Sequence, residues 1–113
     1  MPHCIVEYSK VVEDKLPIKT LISSLHQSVF ESGLFEESSI KTRALAYTDY
    51  QTGVSDTAFI HITLKILQGR NHQQKRALTR LVMDKLSVVV TSPISLSIEV
   101  MDIEKISYKW VML

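Results

Sequence analysis

Few residues in this chain have side chains or termini able to do chemistry, and the most unusual is the second. Pro2 directly follows Met1. Where the initiator is removed, the ring nitrogen becomes a free secondary amine, and an α-amino group titrates at roughly 7.7–8.0 before its surroundings act on it. Such a nitrogen can carry protons between positions of a substrate, whereas a retained Met1 turns it into an inert amide. The plainer alternative is a terminal residue that opens an edge strand. Cys4 lies two positions on, facing the same side of an extended strand, and offers a thiol; a packing cysteine is the commoner case. His3, His26, His61 and His72 are scattered over the chain. None forms a recognised ligand pair with Cys4 or an acidic residue, so no metal site is expected. Arg76 and Arg80, with Lys75 nearby, read as a solvated helix face rather than a nucleic-acid patch.

These groups sit in a chain of 113 residues with 45% hydrophobic content, enough for one core and one domain. A formal net charge of +1 provides no global field to draw in nucleic acid or an anionic membrane. With one cysteine no intrachain disulfide can form. No apolar run reaches the length of a membrane span, and the N-terminus lacks a signal peptide's basic and apolar stretches, so a cytoplasmic protein is expected. The expected partner is a small molecule or another protein chain.

The elements that must position these residues are legible in the periodicity. Pro2 to Tyr8 mixes apolar and polar residues as a partly buried strand does. From Pro17, the apolar residues Ile18, Leu21, Ile22, Leu25 and Val29 recur at helical spacing, and Gly33 follows the last turn. Ile40 to Tyr47 reads as a strand with Lys41, Arg43, Leu45 and Tyr47 on one face, and Tyr50 to Asp56 as the turn after it. The pattern then repeats. Ile60, Ile62, Leu64 and Ile66 line one strand face, Gly69-Arg70 closes the strand, and Asn71 and Gln74 form a capping pair. Leu78, Leu81, Val82 and Leu86 make the second helix's stripe, and Ile94, Leu96, Ile98 and Val100 alternate as a last strand.

The result is strand-helix-strand twice, offset by roughly 58 residues, with right-handed crossovers making each half a parallel pair. The expected fold class is therefore a two-layer α/β domain with both helices on one face of a four-stranded mixed sheet. Its halves would span about 1–52 and 57–104, followed by a tail, 105–113. The sheet's other face looks too apolar for water, and the tail, ending Trp110-Val111-Met112-Leu113, reads as an interface strand in a closed ring of identical chains.

Met1-Pro2-His3, Glu7-Tyr8-Ser9, Ile40 to Arg43 and Phe59 to Ile66 with Gly69-Arg70 resemble the 5-carboxymethyl-2-hydroxymuconate isomerase family over almost the full length. Ile66-Leu67-Gln68-Gly69-Arg70 further resembles the strand-to-helix turn of 4-oxalocrotonate tautomerase, whose single unit looks doubled here. The resemblance implies a duplicated tautomerase-like fold, a homotrimer, and a cofactor-independent isomerase acting on a small keto or enol carboxylic acid of aromatic-compound breakdown. It implies Pro2 as base, with Arg43 and Arg70 as catalytic cations, and places Lys41, Tyr47 and His3 among the substrate contacts. Cations and burial would lower the amine's pKa toward the working pH and stabilise a developing dienolate. The family carries arginine where this chain has Lys41, and lysine lacks the two-pronged grip on a carboxylate. Only the first half keeps the proline, since Ile60 stands at the equivalent place, and only the second keeps the Gly-Arg turn, so one site per chain is expected. A tautomerase-like or ferredoxin-like binding module without turnover is the competing reading.

Overall fold

The computed structural model of the chain describes residues 1–91 and 93–113. Strand β1 (His3–Ser9) leads through a 3-10 turn (Lys10–Asp14) to helix α1 (Ile18–Glu31), and a second short turn (Glu37–Ser39) precedes β2 (Lys41–Tyr47). Strand β3 (Ala58–Leu67), helix α2 (His72–Val89) and β4 (Ile94–Ile103) repeat the scheme, and a last 3-10 turn (Lys105–Ser107) opens the tail. The sheet order is β2-β1-β3-β4. The outer pairs are parallel and the central pair, β1 with β3, is antiparallel. Each parallel pair thus holds its own crossover helix, and the two-layer α/β architecture expected from the periodicity is the one observed.

The core lies between helices and sheet because the two periodicities meet there. Leu21, Leu25 and Val29 of α1 and Leu78, Val82 and Leu86 of α2 pack with Cys4, Val6 and Tyr8 of β1 and Ile60, Ile62 and Leu64 of β3. Each fully buried leucine or isoleucine contributes about 1.5–3 kcal/mol relative to exposure. Leu81, expected in the α2 stripe, is only half-buried, because it falls to the flank of the arc that faces the sheet. The turn at 10–14 was not evident from the sequence, although Val12 and Leu16 anchor it in the core.

Helix α2 begins with the capping box that the sequence indicates: Asn71 Oδ1 accepts from Gln74 N at 2.8 Å, and Gln74 Oε1 accepts from Asn71 N at 3.0 Å. Asn71→Ala leaves one of the helix's first amides without its partner and is expected to cost about 0.5–2 kcal/mol, read as a lower Tm in thermal unfolding.

One expectation is corrected. The open face of the sheet is not predominantly apolar but mixes polar and charged residues with a few apolar ones. In-register neighbours share a face, so His3, Ile5 and Glu7 of β1 stand beside Lys41, Arg43 and Leu45 of β2 and beside Lys65, Thr63 and His61 of β3, with Ser97 and Glu99 of β4 next to His61 and Thr63. These side chains satisfy one another: Tyr47 Oη donates to Glu7, and His61 is held between Ser97 Oγ at 2.7 Å and Glu99 Oε2 at 2.6 Å. The alternating apolar residues of β3 and β4, Ile60, Ile62 and Leu64 with Ile94, Leu96, Ile98 and Val100, point to the helices instead. Within a single chain the tail forms no strand: after the 3-10 turn it runs irregularly, and the interface strand expected from the sequence would need a partner chain to pair with. Among the described residues, no helix is long and apolar enough to cross a membrane.

Candidate active site

Chain topology brings three separated segments to one end of the sheet. Pro2 is buried at the start of β1, and its carbonyl accepts from Lys41 N at 3.1 Å, fixing the entry of β2 beside it. Because β3 runs antiparallel to β1, its C-terminal end and the Gly69-Arg70 turn arrive at the same place. Gly69 makes that turn at φ +126, a conformation open to glycine and strained for other residues.

Arg70 is held from the first half of the chain. Its Nη2 donates to Leu34 O at 2.8 Å, and its guanidinium lies over the Phe35 ring, 5.0 Å from the centroid. Leu34 and Phe35 follow α1, so the loop of one half carries the arginine of the other. Nothing in the local pattern of 33–40 indicates this; the signal was only that an arginine at a strand end needs an acceptor.

The chain's terminal amine, here on Met1, is held below its ordinary value of 8.0, first by burial and then by the charges of Arg70 and Lys41. Both effects penalise an ammonium ion and favour the neutral base.

His3 links this end to the open face. Arg43 Nη1 donates to His3 Nδ1 at 3.1 Å, and His3 Nε2 lies 3.0 Å from Tyr108 Oη. Arginine has no acceptor, so Nδ1 must carry the lone pair and Nε2 the proton. Burial lowers the His3 pKa from 6.5, and Arg43, Lys41, the terminal amine and Lys65 lower it further. The unfolded chain therefore takes up this proton at higher pH than the folded one. Stability contributed by neutral His3 is present above about pH 6.5 and is lost as pH falls from there through the depressed value. Thermal unfolding is expected to show Tm falling across that window, and a His3→Gln variant should show a smaller fall.

The sequence-derived candidates divide in space. Pro2, His3, Lys41, Arg43 and Arg70 come from the same end of the sheet, although His3 and Arg43 face its open side while Pro2 alternates toward the helices. Tyr47 does not join them within this chain: it lies six residues along β2 from Lys41, about 20 Å at the rise of an extended strand, and pairs with Glu7. Cys4 is fully buried, and burial pushes its thiol up to about 11, which leaves it protonated and unreactive. Among the described residues, no group of three or more His, Cys, Asp or Glu is arranged to hold a metal ion. A groove of about 700 Å³ runs between α1 and α2 and is lined by Ser24, Gln27, Glu31, Lys85 and Val88 among others, and Pro2 does not line it.

The tail supplies two further neighbours that residue patterns did not indicate. Tyr108 meets the His3 ring edge-on, centroids 6.1 Å apart, and Trp110 lies under Lys41, whose Nζ is 5.9 Å from the indole centroid.

With this geometry in view, the chain can be set beside known proteins. The family model of 5-carboxymethyl-2-hydroxymuconate isomerase matches residues 2–111. A 5-carboxymethyl-2-hydroxymuconate Delta-isomerase of Escherichia coli is 30% identical over 78 residues, a match that spans 67% of this chain and 62% of that protein's length. Among solved structures, that of a 5-carboxymethyl-2-hydroxymuconate delta-isomerase superposes with a TM-score of 0.89 at 14% identity, covering 99% of this chain and 88% of the other. A fused 4-OT wild type symmetric trimer superposes with a TM-score of 0.74 at 17% identity, covering 91% and 86%.

Proposed function

Since this chain belongs to the 5-carboxymethyl-2-hydroxymuconate isomerase family, we propose that it is a cofactor-independent tautomerase in which Pro2, exposed by removal of Met1, is the base. The observation that carries the reading is the setting of the chain's first residues. The Met1 amine, one residue before Pro2, is partly buried and is biased toward its neutral form by that burial and by the charges of Arg70 and Lys41, and an amine on Pro2 would sit at the same end of the sheet.

The chemistry follows from those groups. The Pro2 lone pair takes the proton of an enol hydroxyl, negative charge spreads over the conjugated chain as a dienolate, and the resulting ammonium returns the proton to a carbon, leaving the conjugated ketone. Arg70 and Lys41 lie where they can hold carboxylates and stabilise the charge that develops. Arg70 is oriented by Leu34 O and Phe35, so its cost of reorganisation on binding is low. Arg43 is exposed on the open face and braced by His3, and we assign it a second carboxylate contact. The substrate class is an unsaturated 2-hydroxy or 2-keto polycarboxylic acid, with 5-carboxymethyl-2-hydroxymuconate the leading candidate. Lysine at position 41 offers one point charge instead of a planar fork, which suits a looser grip on one carboxylate than the family's arginine gives.

We also propose a homotrimer. The fused 4-OT structure is described as a symmetric trimer, and here β2 and β4 are edge strands with one side unpaired. Closing a ring removes such edges. Tyr47, remote from Pro2 within one chain, would come into use only across such an interface.

The test pairs intact mass with an absorbance assay of 2-hydroxymuconate ketonisation. Processed protein lacking Met1 should turn the substrate over. A variant with one residue inserted between Met1 and Pro2 should keep its fold and lose about 10²–10⁴-fold in rate, since its ring nitrogen stays an amide. Equal turnover by both forms would rule out Pro2 as the base, and no turnover by the processed form would favour a binding module of the same fold.

A further inference from the structure

The tail leaves β4 at one edge of the sheet and reaches the first residues of β1 and β2 on the other side. Its start is pinned: Gln68 N donates to Ile103 O at 3.0 Å, and Lys105 N donates to Gln68 Oε1 at 2.7 Å. Its far end makes two contacts, both to residues flanking Pro2 in space. Tyr108 Oη accepts from His3 Nε2, and the Trp110 indole lies under the Lys41 ammonium. Neither contact belongs to the hydrophobic core, and Trp110 remains half exposed.

We propose that the tail is a strap across the cationic end of the sheet, in which Trp110 is a specificity-determining residue that walls the Lys41 side of the substrate site. The reading of this end as a tautomerase site is the one proposed above. Lys41 has two faces to offer. The indole takes one, through a cation–π contact, and leaves the other for a carboxylate. A substrate presenting its carboxylate in line with a flat conjugated chain can then lie along the indole, whereas a bulky or branched group beside that carboxylate collides with it. Tyr108 fixes how far the strap lies over β1. Its bond to His3 is set by Arg43, which claims Nδ1 and leaves the proton on Nε2, so the strap and the Arg43 carboxylate contact are positioned by a single imidazole.

The strap can be followed without turnover, because Trp110 is the chain's sole tryptophan. Its fluorescence is quenched by acrylamide, with adipate, a saturated and ultraviolet-transparent dicarboxylate, as the ligand probe. Lys41→Gln removes the cation and is expected to weaken docking about 2- to 5-fold, raising the quenching constant. Adipate is expected to change quenching in the wild type and not in Lys41→Gln. Quenching unaltered by Lys41→Gln would overturn the strap.

In the ketonisation assay, Trp110→Ala is expected to raise KM for 2-hydroxymuconate about 3- to 10-fold with kcat nearly unchanged, the pattern of lost uniform binding. Trp110→Phe should restore most of it. A Trp110→Ala enzyme with unaltered KM, or with kcat reduced at constant KM, would overturn the specificity role. If wild-type protein lacks turnover altogether, the tautomerase reading fails while the fluorescence result still decides the strap.

Discussion

Pro2→Ala is expected to lower kcat/KM for enol ketonisation by about 10²-fold or more, within the range that general-base catalysis supplies. Alanine at the second position still leaves an amine once Met1 is gone, so the loss measures what the ring contributes beyond the presence of nitrogen. The pyrrolidine fixes φ and removes rotation about the first backbone bond. The lone pair therefore starts in one direction, and the secondary amine is more basic than a primary one at equal burial. A primary amine on a freely rotating terminus must be ordered in each turnover. The fold should be untouched, since the main-chain contact of residue 2 is its carbonyl, which accepts from Lys41 N in either variant. Circular dichroism and Tm are the controls, and a rate within about twofold of wild type would contradict a base at this position.

Arg70→Ala is expected to cost about 10²–10³ in kcat/KM and to shift the acid limb of the pH–rate profile upward. Two separate effects combine. A cation that stabilises the dienolate is gone, which lowers the rate at every pH. One of the charges that, after burial, hold the Met1 amine below its usual value, and that would act in the same way on the amine of Pro2, is also gone. The amine's pKa then rises, a larger fraction is protonated at a given pH, and the rate recovers only on the alkaline side. Arg70→Lys separates the two: a lysine keeps the charge and most of the pKa shift, while losing the planar donor aimed at Leu34 O and the stacking on Phe35. Its profile is expected to keep the wild-type acid limb with reduced amplitude. An Arg70→Ala profile with an unmoved acid limb would show that the arginine acts on substrate alone.

Much of the architecture was legible because it rests on local periods. Ile60, Ile62, Leu64 and Ile66 could only be one face of a strand, and the Asn71–Gln74 pair marks the start of α2 to the residue. What the pattern of one strand cannot reveal is what stands beside it. Lys41, Arg43, Leu45 and Tyr47 were placed on a common face correctly. That the same face also holds His3, Glu7, His61 and Glu99, and is therefore less apolar than expected, depends on the register of four strands at once. Tyr47 shares that face with Lys41 and Arg43, but distance along the strand separates it from Pro2 within one chain. The bracing of Arg70 by Leu34 and Phe35 and the docking of Tyr108 and Trp110 join residues with sequence separations of 35 to 105, and no short-range pattern encodes such contacts.

The position of β1 has a consequence for how the protein is made. Strand β1 is an interior strand, yet both of its neighbours are encoded after it, β2 from residue 41 and β3 from residue 58. A nascent chain thus carries Cys4, Val6 and Tyr8 without their neighbouring strands until β3 has emerged, and it has no hairpin to hold them meanwhile. That delay leaves an interval in which an aminopeptidase can reach Met1 before the Lys41 and Arg70 segments fold around the terminus. Maturation of the proposed base is in this way timed by the order of the strands, and protein refolded with Met1 still attached would be expected to resist later trimming.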